Sequence, residues 1–210
     1  MRPAPARPGD GVAAIATPAL VIDLDALERN IARMAAFARE RGLRLRPHAK
    51  THKSAQIARM QIVAGAAGVC VQKVSEAEAL AAQGIADLYI SNEVIAESAV
   101  ARAAALAGRV RLAIAADSAL GVDRLARAVQ ATGSTIDVFV EVDVGQGRCG
   151  VPPTSAGGLA RRVVSHAGLR FAGLQAYHGG AQHIRASAER EAAIRRAVAA
   201  ASAARAAVTS

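Results

Sequence analysis

At 210 residues the chain is long enough for one domain with a real core, but its 52% hydrophobic content is largely alanine and its aromatic content is 2%, so large core side chains are few. The formal charge of +9 comes from arginines dispersed along helical stretches, with almost no aromatics to stack on bases, which argues against a nucleic-acid partner. Cys70 and Cys149 are far apart and neither belongs to a C-x-x-C pair, so neither a zinc site nor a disulfide framework is indicated. No apolar run is long enough for a signal peptide or a bilayer span, and a soluble, cytoplasmic protein is expected.

Residues 1–17 are Pro- and Ala-rich and read as a flexible leader, with residues 18–210 as a single domain. Residues 18–24 read as a short strand. Asp25 is expected to cap the next helix, with Glu28 in capping-box position, and Leu27, Ile31, Met34 and Ala38 follow at helical spacing up to Gly42. Strands are then expected at 43–49, 68–72, 87–91, 109–115, 136–142 and 169–176. Helices are expected at 54–65, 75–83 (with Ser75 and Glu78 spaced as a second capping box), 96–106, 118–132, 155–166 and from 187 onward. Such alternation implies parallel strands joined by crossover helices, and the short apolar runs suit strands covered on both faces. Lys50, Gln72, Asn92, Asp117, the loop 143–148 and Tyr177–His178 all fall at or just past C-terminal strand ends. That rim carries the active site of a (β/α) barrel and of an open parallel sheet alike.

The stretch Arg46–Lys53 stands out. Of 26 basic residues only Lys50, Lys53 and Lys73 are lysines, and two of them lie three positions apart at the end of an expected strand. Arginine cannot replace lysine where a free amine is needed, and Schiff-base chemistry is the commonest such need. The period of two puts Arg44, Arg46, His48 and Lys50 on one face and Leu43, Leu45, Pro47 and Ala49 on the other. Lys50, last in the polar register, is the candidate nucleophile, while Lys53 beside the next helix cap is expected to be solvated. An ordinary ion-paired rim lysine is the competing reading. His48 and His52 have H-x-x-x-H spacing, but Pro47 and the strand pattern break the helix that would aim both at one metal. Gly145, Gly147 and Gly150 fit G-x-G-x-x-G. Pro152, Pro153 and the lack of an acidic residue some twenty positions on make a loop positioning Arg148 the simpler reading than a dinucleotide site. Asp117 and Asp143 are expected to cap helices or pair with arginines, and His166 to sit at a helix end.

The runs 17–27, 46–54 (Arg46 to Ser54), 72–78 (Gln72 to Glu78), 91–93, 147–151 and 173–179, in this order, resemble the D-threonine aldolase / D-serine dehydratase family, especially its 3-hydroxy-D-aspartate aldolase members. The likeness spans about residues 17–185. It implies pyridoxal-phosphate (PLP) fold-type III: an alanine-racemase-type (β/α) barrel followed by a C-terminal β-domain. Here it implies an incomplete barrel of about six strands and no β-domain, with the opening strand lacking its partners. By the same resemblance Lys50 carries the cofactor, and Gln72, Arg148 and Tyr177 surround it. Arg148 is placed near the ring's polar edge and Tyr177 against ring or substrate. Lys50 is then expected to sit desolvated near cationic groups that favour its free amine. The implied reaction is retro-aldol cleavage of a 3-hydroxy-D-amino acid to glycine and an aldehyde. Elimination of the dehydratase kind, a non-catalytic PLP-binding protein and an inert remnant are alternatives. In the family a divalent metal of Mn or Mg type activates the β-hydroxyl; its ligands are expected in the C-terminal domain, leaving no metal ligands in this chain. The implied partner is a small D-amino acid, with neither nucleic acid nor membrane, and a complete enzyme is expected to be a homodimer.

Overall fold

A computed structural model describes residues 6–209. Residues 1–5 of the expected leader lie outside the described residues, and residues 6–17 form exposed chain with one 3-10 turn at Val12–Ala14. Residues up to Arg44 and residues from Leu45 onward form two compact units.

In the first unit the helix α1 (Leu24–Glu40) begins two residues before the sequence suggests. Asp23, not Asp25, is its cap, its Oδ1 accepting from Ala26 N at 2.9 Å. Asp25 sits instead in the first turn, where its charge favours the positive end of the helix dipole. The expected strand 18–24 does not form among the described residues: the segment is extended chain, and Leu20 is 99% exposed.

The second unit is a five-stranded parallel sheet in the order β1 (Val69–Val71), β2 (Asp87–Glu93), β3 (Arg111–Ala116), β4 (Ile136–Glu141), β5 (Leu169–Gln175). Consecutive strands are neighbours, so each connection crosses through a helix: α3 (Val74–Ala82), α4 (Glu97–Ala107), α5 (Ala119–Thr132) and α6 (Ala156–Val164). Helix α2 (Ala55–Val63) precedes β1, and α7 (Ser187–Thr209) follows β5. This is an incomplete α/β barrel with five strands rather than the expected six. The difference lies at residues 43–49. Ala67 N donates to Leu45 O (2.9 Å), Cys70 N to Pro47 O and Ala49 N to Cys70 O (both 2.7 Å), yet only His48 pairs with Cys70 as a bridge. Pro47 has no N–H to contribute, so the run follows β1 without forming a continuous ladder.

The expected cap at Ser54 forms, its Oγ accepting from Ile57 N (3.3 Å), and Ser118, expected as the first residue of the helix 118–132, caps α5 instead, its Oγ accepting from Gly121 N (3.2 Å). Ser75 does not cap. Lys73 holds the N-cap position of α3 without a side-chain bond, and Glu76 turns back to accept from Gln72 N at 2.9 Å. Glu78 pairs instead with Arg102 on α4.

The period of two divides each strand. Val69, Val71, Leu88, Ile90, Leu112, Ile114, Ile136, Val138 and Val140 are at most 1% exposed and form the core against the helices. The alternate residues face the barrel interior. At the N-terminal strand ends these are charged: Arg46–Asp87 (2.7 Å), Asp87–Arg111 (3.7 Å), Arg111–Asp137 (3.2 Å) and Asp137–Arg170 (2.7 Å) form an alternating chain across the sheet. Arg46, polar by register, is thereby neutralised by a neighbouring strand.

Candidate active site

A cavity of about 350 Å³ lies toward the C-terminal strand ends. Its walls come from successive strands in the interior register: His48 and Lys50, then Cys70 and Gln72, Tyr89 and Ser91, Phe139, and Gln175 and Tyr177, with Arg148 from the loop after β4. The four residues singled out from the sequence, Lys50, Gln72, Arg148 and Tyr177, therefore share one cavity. Asn92 and Asp117, expected on the same rim, do not line it.

The two candidate lysines are separated by their partners. Lys53, at φ 51°, forms an ion pair with Glu76, the residue that also anchors the Gln72 amide. Burial raises the Glu76 carboxyl, but the Lys53 and backbone hydrogen bonds outweigh it and hold the group below the usual glutamate range. Lys50 is exposed to the cavity rather than desolvated, and among the described residues its ammonium joins no ion pair. The ion-paired rim lysine is Lys53.

Beside Lys50, His48 Nδ1 accepts from the Lys50 backbone N–H at 3.2 Å. Nε2 then carries the hydrogen and donates to Ser91 Oγ (3.2 Å), which donates to Val71 O (3.4 Å). Burial, then the Lys50 charge, lowers the His48 pKa, so the ring is a neutral orienting group. His52 uses the same local bond, its Nδ1 accepting from Ser54 N at 3.0 Å, and burial lowers its pKa as well. The two imidazoles are thus engaged separately and form no shared metal pair.

Arg148 is presented by the glycine loop. Asp143 neither caps a helix nor pairs with arginine: its Oδ1 accepts from Gly145 N (2.9 Å) and Gly147 N (3.0 Å), and these bonds depress its pKa. Asp117 Oδ2 accepts from Gly150 N (3.1 Å). Gly150 is obligatory, at φ 102°, with any Cβ falling 2.4 Å from Asp143 N. The loop amides face Asp143 and Asp117, and α6 opens only after a 3-10 turn at Pro153–Ser155, so the glycines build a turn. At its tip the Arg148 guanidinium lies 5.3 Å from the Tyr177 ring centroid, within cation–π range. Gly179 packs beneath that ring, and its N–H donates to Gln146 Oε1 at 2.6 Å.

From Tyr89 and Gln175 on the cavity wall a polar chain, not singled out from the sequence, runs behind it to Glu141. Tyr89 OH donates to Gln175 Oε1, and Gln175 Nε2 donates to Glu141 Oε2 at 2.5 Å. Burial first, then the adjacent Glu93 carboxyl, pushes the Glu141 pKa up to about 8. Glu93, Asp117 and Cys149 bring ligand atoms within 4.8 Å of one another, the one such group among the described residues. A second cleft, of about 410 Å³, lies on the outer helices, where Asp123 pairs with Arg162 (2.6 Å) and His166 (3.2 Å). No helix of the described residues is long and apolar enough to cross a membrane.

A parallel strand–helix sheet with a lysine amine and a guanidinium lining one cavity toward its C-terminal strand ends defines an α/β-barrel protein with its candidate site in the barrel mouth. Residues 22–210 match the family described as "Alanine racemase, N-terminal domain", and the chain belongs to that family. It is 46% identical over 189 residues to a D-threonine aldolase of Arthrobacter sp, covering 90% of this chain and 50% of that protein. It is 40% identical over 198 residues to a 3-hydroxy-D-aspartate aldolase of Paracoccus denitrificans (strain Pd 1222), covering 93% and 51%. The crystal structure of D-threonine aldolase from Filomicrobium marinum superimposes with a TM-score of 0.95 at 46% identity, covering 98% of this chain and 56% of that one. The chain spans about half the length of the curated relatives it matches.

Proposed function

We propose that this chain supplies the cofactor-binding barrel of a PLP-dependent aldolase that cleaves 3-hydroxy-D-amino acids to glycine and an aldehyde. The observation that carries the reading is the convergence of Lys50, Gln72, Arg148 and Tyr177 on one cavity in which the Lys50 amine is unpaired. The aldolase relatives support it over the dehydratase alternative. The proposal treats residues 18–210 as one functional domain and keeps the expected cytoplasmic location.

The residues present fit the cofactor. A cavity of about 350 Å³ suits a small aromatic ligand. Lys50 offers the amine that attaches it, Tyr177 a half-exposed aromatic face, and Arg148 a cation for its polar edge. When bound, PLP supplies a conjugated ring that takes up the electron pair left at Cα as the Cα–Cβ bond breaks. The chain's own residues prepare that step. His48 fixes the Lys50 backbone through its Nδ1, the Asp143-centred turn aims Arg148, and the Gln72 amide is pinned by Glu76. The metal implied by the resemblance finds no independent donor set on the cavity: Asp117 is committed to Gly150 N, and Glu93 faces Glu141. We place its ligands, as the resemblance implies, in the family's C-terminal domain.

Borohydride reduction of the purified chain with PLP, followed by peptide mapping, tests the assignment. Wild type and Lys53→Ala should each carry one adduct, on Lys50, and Lys50→Ala none. An adduct mapping elsewhere, or none in wild type, refutes the site. Adduct formation without release of glycine from any 3-hydroxy-D-amino acid would assign the chain to cofactor binding alone.

A further inference from the structure

Behind the Tyr89–Gln175 wall of the cavity lies more acid than its surroundings neutralise. Glu141 is 3% exposed, and its carboxyl abuts that of Glu93 at the end of β2. One oxygen, Oε2, accepts from Gln175 Nε2; the other lies 4.0 Å from the Arg148 guanidinium, too far for a hydrogen bond. On the other side, Glu93 Oε1 is buried and finds no hydrogen-bond donor. A buried acceptor without a donor is costly, and two carboxylates in contact out of water cannot both stay ionised. The remaining groups around the pair do not cure this. Tyr89 on β2 spends its proton on Gln175, Asp117 is another acid, and the Cys149 thiol beside Glu93 is kept protonated by burial and by that same carboxyl. One proton between the two carboxyls satisfies both at once.

We propose that Glu141 is a neutral carboxylic acid that donates its proton to Glu93, and that this proton is what positions Arg148 and Gln175 on the cavity. With Glu141 neutral, the Arg148 guanidinium stays at 4.0 Å from it and over Tyr177 rather than closing into a hydrogen-bonded pair, its charge available to an anionic or electron-rich ligand edge. Gln175 is locked with its oxygen toward Tyr89 and its amide toward Glu141. When Glu141 ionises, near the value of about 8 that burial and Glu93 give it, the carboxylate competes for the guanidinium and Arg148 leaves the ligand. Glu141 is thus a positioning residue that acts through Arg148. The functional consequence rests on the cofactor reading above; the protonation state does not.

Two variants and two measurements decide it. Carboxyl-carbon NMR of glutamate-labelled protein without ligand should show one carboxyl that is still protonated at neutral pH, titrates near 8, and is lost in Glu141→Gln. Glutamine also keeps the shape and the donor of the neutral acid. Glu141→Gln should therefore bind PLP as wild type does at neutral pH and lose the alkaline fall in affinity, while Glu141→Ala binds weakly throughout. An ionised Glu141 at neutral pH, or a Glu141→Gln variant as weak as Glu141→Ala, would show that the charge serves Arg148 as an ion-pair partner and overturn the proposal. The Glu141 carboxyl titrating near 8 in a chain that binds no PLP would sustain the proposed protonation state and refute the cofactor reading alone.

Discussion

Removing the Asp143 carboxylate should release Arg148 without touching it. Asp143 Oδ1 gathers the amides of Gly145 and Gly147 at 2.9 and 3.0 Å, and those bonds depress its pKa. A hydrogen bond to a charged group contributes about 1.5–3 kcal/mol when sheltered. This carboxylate is largely solvated, so screening reduces each bond to about 1 kcal/mol or less, and the pair to about 1–2 kcal/mol. Asp143→Ala should then raise the open population of the loop by about 5–30-fold. Native-state hydrogen exchange at Gly145 and Gly147 reads this directly, and PLP affinity should fall in the same proportion if Arg148 serves the ligand. Asp143→Asn keeps a neutral acceptor and should show a smaller effect. Because the folded pKa is depressed, the stabilisation is present above the unfolded aspartate value of about 3.9 and is lost as the pH falls through the folded value. Exchange at both amides unchanged in Asp143→Ala would refute this account of the loop.

Gly150→Ala should be more damaging than its size suggests. It combines a backbone strain of about 1–3 kcal/mol at positive φ with overpacking of about 1–3 kcal/mol against backbone atoms of Val142 and Asp143 that cannot yield; the melting temperature of the variant checks it. Gly179→Ala should push the Tyr177 ring aside, since a Cβ there lies 2.5 Å from its hydroxyl oxygen. With two tyrosines and no tryptophan in the chain, near-ultraviolet circular dichroism should report the change with little loss of stability. Ile114→Ala, at a fully buried site in the central strand, should cost about 2–5 kcal/mol and about 4–20 °C in melting temperature. Glu141, whose folded pKa is raised to about 8, keeps its proton in the fold while the unfolded chain has lost it. Its contribution to stability should therefore fall as the pH rises from the unfolded glutamate value of about 4.3 toward 8, and Glu141→Gln should remove that slope.

Much of this was legible in the sequence because the helical face of each strand is apolar at every second position. Runs such as 87–91 and 136–142 have one reading once parallel pairing is inferred. The cap at Ser54 was equally plain. Caps failed where two acceptable residues competed: Asp23 and Asp25 both suit a helix start, and only the course of the chain selects the first. At 43–49 the alternation was right about the face for Arg46, His48 and Ala49, but not for Leu43, which is 58% exposed, and wrong about the ladder, since a proline inside the run removes a donor that periodicity does not count. Lys50 could be preferred to Lys53 by register, but the reason Lys53 is unavailable, Glu76, lies a strand and a helix turn away.

The polar chain behind the cavity wall was illegible for a different reason. Glu141, Gln175 and Tyr89 each stand on a separate strand, and nothing local to any of them signals that their polar ends meet. The interior face of a barrel is assembled one or two residues at a time, so its chemistry depends on how registers line up across the sheet. Tyr89 pairs with Ala113 in the β2–β3 ladder, Ala115 with Phe139 in β3–β4, and Glu141 with Gln175 in β4–β5. A lysine can advertise itself by being rare in the composition. A glutamate whose importance lies in staying uncharged cannot, because its burial, its acidic neighbour and its distant arginine exist only once the strands are side by side.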